Sequence, residues 1–149
     1  MDSKNLRNYY DVVIIGAGFA GIECAKNLGN SNLSVLLIEK DEEKDIGRKV
    51  CAAGVTLDDL DYLSKDFLNF DFQKTLICYK KKSITISEDN GIISTINKKV
   101  VLQSELRHLK NFDNINVIYD TSTRVHSHFI QLLYSHHKSE LSYKRPQIL

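Results

Sequence analysis

Short apolar runs separated by polar punctuation shape the first third of the chain. Val12-Val13-Ile14-Ile15 and Val35-Leu36-Leu37-Ile38 are continuous apolar tetrads. A continuous run of that length is what a parallel strand buried on both faces requires. Between them Ile22, Ala25 and Leu28 recur at helical spacing, with Glu23, Lys26 and Asn27 on the outer side and Gly29-Asn30 as the stop signal. The pattern predicts strand, helix, parallel strand. Asp41–Lys49 is polar and reads as a loop, Thr56–Leu63 as a capped helical turn, and Phe67, Phe70 and Phe72 as a less regular stretch. From Thr75 the period becomes two. Leu76, Cys78 and Tyr79, then Ile84 and Ile86, then Ile92, Ile93 and Ile96 predict three short strands. Lys80–Lys82 and Asp89-Asn90-Gly91 are the turns between them, the second a hairpin turn. Val100–Leu109 returns to helical spacing and Ile115–Tyr119 reads as another parallel strand. The expected fold class is α/β: a Rossmann-like βαβ domain with an inserted antiparallel β-meander. After Val125 the alternation ends. Residues 126–149 read as an atypical tail, in which Phe129, Leu132 and Leu133 mark one short helix, so the expected division is 1–125 and 126–149.

Composition narrows the classes. The chain has 149 residues, 42% apolar and 26% charged, enough for one globular domain with a core. A net charge of +1 gives no basis for nucleic-acid binding, and Lys80–Lys82 and Lys98-Lys99 read as a solvated turn and a strand edge. No apolar segment approaches the ~18 residues of a membrane span, and the polar stretch Met1–Asn8 does not read as a signal peptide, so the cytoplasm is the expected compartment. Cys24, Cys51 and Cys78 are widely spaced without a CxxC and suit a reducing compartment. Cys24, on the helix, is expected in the core. The five histidines lie between His108 and His137 without a companion cysteine or acidic set, so no metal site is expected.

Chemistry concentrates behind the first strand. Gly16-Ala17-Gly18-Phe19-Ala20-Gly21 joins it to the helix, and the second strand ends in Glu39, 18 residues after Gly21. This is the form of a dinucleotide-binding turn. Gly16 permits the tight turn, Gly18 lets a pyrophosphate approach the backbone, and Gly21 lets helix and strand pack closely. The helix N-terminus offers free N–H groups and a positive dipole end. Glu39 stands where a carboxylate accepts hydrogen bonds from a ribose, and it disfavours a 2′-phosphate and hence NADP. An ordinary βαβ turn without ligand is the plainer alternative.

Tyr10–Gly21, Glu39-Lys40, Ile46-Gly-Arg-Lys-Val-Cys-Ala-Ala-Gly54 and Ser94-Thr-Ile-Asn-Lys98 together resemble the geranylgeranyl reductase family, FAD-dependent oxidoreductases of the glutathione-reductase-like superfamily. The likeness runs from about Tyr9 to Val125 and corresponds to the N-terminal part of longer proteins. It implies that Gly16, Ala17, Gly18, Ala20 and Gly21 face the FAD pyrophosphate. Glu39 would bind the adenosine ribose and Lys40 would sit near the adenine. Arg48 would approach the pyrophosphate or ribityl chain, Cys51, Ala52 and Gly54 would line the approach to the flavin ring, and the Val125 backbone would meet the adenine. Lys98 stands where the family usually carries arginine, and the planar bidentate fork is lost there. Outside the resemblance, Arg48 and Lys49 also read as loop charges and Cys51 as a small buried residue. The family's second FAD motif, a late Gly-Asp pair, and its lipid-substrate region have no counterpart in the chain. The resemblance implies FAD ahead of NAD, reduction of isoprenoid double bonds in a lipid substrate, and peripheral contact with a membrane through that substrate. Two readings stay open: an oxidoreductase present as its N-terminal part, or a truncated or split nucleotide-binding fragment without independent activity, its fold completed by a second chain.

Overall fold

The computed structural model describes Arg7 and residues 9–56, 65–89, 91–125, 129–134 and 141–144. The chain forms two compact units, Met1–Ile46 with Leu102–Leu149, and Gly47–Val101.

In the first unit β1 (Val12–Ile15), α1 (Phe19–Asn27) and β2 (Val35–Ile38) form the expected right-of-way for the chain: strand, helix, parallel strand. The strand Ile115–Ile118 also pairs in parallel with β2, so β2 is central and flanked by β1 and that strand. Every residue of β2 is buried, the consequence of pairing on both edges and packing on both faces. Alternation then assigns the faces. Val35 and Leu37 join Ile22, Ala25, Leu102, Leu106 and Leu109 in one apolar cluster, whereas Leu36 and Ile38 join Tyr10 and Ile118 in another. The helical side of the first cluster comes from α1 and from the helix Lys98–Leu109, whose residues from Leu102 onward belong to this unit. Each fully buried leucine there contributes about 2 kcal/mol through removal of apolar surface from water. Lys26 on α1 bridges to Glu105 at 2.6 Å and to Glu23 at 3.1 Å. The Glu105 hydrogen bond, more than the others, holds the Lys26 ammonium above its ordinary pKa against the opposing effect of partial burial. At the far end of the sheet Asp11 accepts from the Ser34 hydroxyl at 2.6 Å and the Ser34 N–H at 2.8 Å. The Ser34 hydroxyl contact, followed by the Ser34 amide, lowers the Asp11 pKa.

Three antiparallel strands complete the first unit: Thr121–Val125, Phe129–Tyr134 and Leu141–Lys144, paired in sequence order. The short helix expected over Phe129, Leu132 and Leu133 is therefore corrected to a strand. Ile130–Tyr134 pair residue by residue with Thr121–Val125, and β-branched and aromatic residues favour that state once a partner edge is available.

The second unit is antiparallel throughout, as expected for the insert. In chain order its strands are β3 (Gly54–Thr56), β4 (Leu68–Phe72), β5 (Lys74–Tyr79), β6 (Lys82–Ser87) and β7 (Ile93–Ile96), which makes the three strands of the preceding paragraphs β8 (Ile115–Ile118), β9 (Thr121–Val125) and β10 (Phe129–Tyr134), with β11 (Leu141–Lys144) last and α2 spanning Lys98–Leu109. β7 lies between β3 and β4, and β5 pairs with β6 in a separate hairpin. Three details differ from expectation. Phe67, Phe70 and Phe72 belong to a single 3-10 turn and β4 rather than to an irregular stretch. The hairpin expected at Asp89-Asn90-Gly91 is not formed, since β6 pairs with β5 whereas β7 takes β3 and β4 as partners, and Asn90 itself lies outside the described residues. Lys98 and Lys99 open α2 rather than edging a strand: Asn97 Oδ1 accepts from the Val100 N–H at 3.2 Å and caps the helix start. The helical turn expected over Thr56–Leu63 lies outside the described residues beyond Thr56, itself the last residue of β3.

Candidate functional site

The glycine turn is built by the sheet. Gly16 donates its N–H to the Ile38 carbonyl at 2.7 Å, continuing the β1–β2 ladder by one residue. The chain then reverses with Gly16 at φ +99°, a conformation that glycine adopts without steric cost. Gly21 allows the closest approach in the turn, since a Cβ there would fall on the Gly16 carbonyl oxygen. Gly18 is different: a Cβ there would meet nothing within 4 Å. Gly18 is also the N-cap of α1, and no side chain caps that end. The turn therefore presents exposed backbone and the first N–H groups of a helix to open space, an arrangement suited to an anion. Ala17 is buried and Ala20 exposed.

Glu39 does more than ribose chemistry requires. Its carboxylate accepts from the Ala17 N–H at 2.7 Å and from the Asp41 N–H at 3.0 Å, using both oxygens, and the residue is buried. Glu39 thus ties the glycine turn to the end of β2. Each oxygen keeps a second lone pair, so the carboxylate retains acceptor capacity. Nothing in the sequence pattern signalled this pinning role, because it depends on β1 and β2 being adjacent and in register. Lys40 follows it, exposed, and Val125 is the last residue of β9.

The other candidate residues belong to the second unit. There Arg48, Cys51, Ala52 and Lys98 line one cavity of about 610 Å³, while Gly54 begins β3 beside it. The loop Gly47–Ala53 forms one wall, with Gly47 at φ +89° where a Cβ would meet the Lys99 Cα at 2.6 Å, and Ala53 at φ +48°. Ala53 holds its position through its carbonyl, which accepts from the Ile96 N–H at 3.1 Å. Lys49 and Lys99 also line the cavity, so Arg48, Lys49, Lys98 and Lys99 border one space, and among the described residues no carboxylate lines it. Such a wall suits an anionic ligand. Lys99, which the sequence reads as part of a strand edge, joins the cavity because the α2 start brings it beside the Gly47 loop.

Neither Cys51 nor Cys24 packs in a core. Cys51 is exposed at the cavity, so it is not a buried packing residue. Cys24, expected in the core, is exposed. The buried stripe of α1 is Ile22 and Ala25, and a residue one position before Ala25 is rotated about 100° from it. His126, His128, His136 and His137 lie outside the described residues.

A βαβ unit that opens a helix on a three-glycine turn and closes on an acid defines a class of redox protein scaffold, and the chain falls within it. It matches the pyridine nucleotide-disulphide oxidoreductase family over residues 10–111, more than half of its length, and it belongs to that family. Its likeness to geranylgeranyl reductases is also borne out. It is 40% identical over 87 residues to a digeranylgeranylglycerophospholipid reductase of Methanosarcina acetivorans, covering 58% of this chain and 19% of that protein. The protein of the same name from Methanosarcina mazei gives the same identity over the same length. Among solved structures, a geranylgeranyl bacteriochlorophyll reductase-like protein from Thermoplasma acidophilum aligns with a TM-score of 0.68 and 16% identity over 91% of this chain and 37% of that chain. That similarity establishes the fold. The chain spans about a fifth of the length of the two curated reductases it matches.

Proposed function

We propose that this chain supplies the nucleotide-binding side of an FAD site in an oxidoreductase that reduces isoprenoid double bonds of lipids. The observation that carries the reading is the turn Gly16–Gly21: tight where Gly21 meets Gly16, open at Gly18, and pinned by Glu39. In this reading Gly18 and the α1 N-terminus receive the pyrophosphate, Glu39 offers its remaining lone pairs to the adenosine ribose, and Lys40 and the Val125 backbone lie toward the adenine. Arg48 and Lys98 neutralise phosphate charge, and Cys51, Ala52 and Gly54 border the approach to the flavin ring. FAD supplies the hydride chemistry, and the protein binds and orients it. The lipid class comes from the names of the reductases of similar sequence.

The test begins with binding. The purified chain, titrated with FAD and with NAD in parallel, is expected to retain flavin absorption through gel filtration and to take up NAD more weakly. Gly18→Val places a branched side chain where the phosphate would approach, at a backbone φ of −79° that valine accepts. Flavin retention is expected to fall at least tenfold with the circular dichroism unchanged. Equal flavin retention by the variant would sink the assignment of the turn, and absence of flavin uptake by the parent chain would sink the FAD reading for this chain.

A further inference from the structure

We infer that the β5–β6 hairpin is a docking element for an anionic lipid surface. Cross-strand partners share a face. The pairs Ile77 with Ile84, Thr75 with Ile86, and Tyr79 with Lys82 therefore lie on one side of the hairpin. That side is apolar and open: Ile77 is 53% exposed, Tyr79 70%, Ile84 67% and Ile86 41%. Of the twelve residues in the two strands, all but Thr75 are exposed. A two-stranded hairpin gains little stability from such a face in water, and among the described residues the face stays open.

Charge selects the occupant. From Lys74 to Ser87 the sequence carries Lys74, Lys80, Lys81 and Lys82 and no aspartate or glutamate. Lysines that guard a sheet edge against aggregation are placed along the strand. Here three are gathered at the turn, where Lys80 adopts φ +54° and its ammonium lies 5.3 Å from the Tyr79 ring centroid. An apolar face ending in a compact cationic tip, with an aromatic ring between the two, matches the layering of a membrane interface. Laid flat on a bilayer, the hairpin turns the isoleucines and Tyr79 toward the acyl boundary while the flexible lysines at its end reach the anionic phosphates. The nearest acids, Glu88 and Asp89, follow β6 at the end of the hairpin away from the lysine turn, with the Glu88 N–H bonded to the Gln73 carbonyl, so the cationic tip is separate from them. The inference concerns the second unit alone and stands apart from the FAD reading.

The chain contains no tryptophan, so Tyr79→Trp in the full chain gives a single reporter at the hairpin. Its emission is expected to shift to the blue, and the chain to sediment, with mixed phosphatidylcholine–phosphatidylglycerol vesicles at low salt. Pure phosphatidylcholine vesicles are expected to produce neither effect. Replacing Lys80, Lys81 and Lys82 together by glutamine in the same background should lower partitioning roughly a hundredfold. Ile77→Ser with Ile84→Ser should abolish the blue shift while leaving weak, salt-sensitive sedimentation. These substitutions fall on exposed positions, and circular dichroism checks that each variant stays folded. The inference is overturned by equal binding to neutral vesicles, by undiminished binding of the glutamine variant, or by absence of binding to both vesicle types. A blue shift that grows with protein concentration without vesicles would assign the face to self-association instead.

Discussion

Replacing Gly21 by alanine would drive a methyl group onto the Gly16 carbonyl oxygen, and neither partner is a flexible side-chain end. Relief requires α1 to move off β1, which disturbs the packing of Ile22 and Ala25 in the main cluster. Overpacking of this kind costs about 1–3 kcal/mol, and a backbone collision belongs at the upper end. Gly21→Ala is therefore expected to lower the urea midpoint of the chain substantially, whereas Gly18→Val, a poorer N-cap for α1, lowers it only slightly and acts mainly on ligand binding. Urea unfolding of the two variants side by side checks the distinction. Tyr119 makes a second residue-scale case. Its hydroxyl is buried without a hydrogen-bond partner among the described residues. Burial, aided by the nearby Glu43 carboxylate, raises its pKa well above the ordinary 10.0. The folded chain then keeps a proton that the unfolded chain loses, so stability is fully present below pH 10 and declines as pH rises through and beyond it. Tyr119→Phe is expected to flatten that alkaline decline and to leave stability at neutral pH unchanged or slightly higher. Thermal melts between neutral pH and the alkaline range measure the difference.

At the scale of elements, what could be read from the chain divides by the range of the interactions involved. β1, α1 and β2 were legible because their signals are local: continuous apolar tetrads, a helical stripe, and Gly29-Asn30 at the stop, where Asn30 takes φ +59°. The glycine turn was legible for the same reason, since its geometry depends on residues within one turn of α1. Glu39 was placed correctly at the end of β2, but its bond to Ala17 was not foreseeable from spacing alone, because it arises from pairing across the sheet. The strand Phe129–Tyr134 resembled a short helix until β9 offered it an edge. Consecutive β6 and β7 read as neighbours in the sequence, yet β7 is claimed by β3 and β4 from earlier in the chain. The cation-lined cavity was half legible. Arg48, Cys51, Ala52 and Lys98 came from motif likeness, whereas Lys49 and Lys99 join them only through the Gly47 loop and the start of α2.

On the scale of the whole molecule, the two units differ in how their strands are secured. In the first, β2 is buried along its whole length and is bonded on both sides, and Leu102, Leu106 and Leu109 seal one face. In the second, among the described strands, β7 alone has neighbours on both edges, and its buried residues are Ser94 and Ile96. β5 and β6 have only each other among the described strands, and their side chains lie open to water. Amide exchange follows the free energy needed to open each segment, which rises with buried apolar contact and falls with solvent exposure of the hydrogen bonds. Amides of β2 should therefore exchange near the rate set by global unfolding. Those of β5 and β6 should exchange at least a hundredfold faster, with β7 between them. Hydrogen–deuterium exchange resolved by peptide measures all three in one experiment. Equal protection of β2 and the hairpin would mean that the hairpin is covered in solution, and repeating the measurement over a range of protein concentrations would show whether a second copy of the chain provides the cover. If anionic vesicles instead slow exchange in β5 and β6 while leaving β2 unchanged, the protection comes from the lipid surface and not from a general gain in stability.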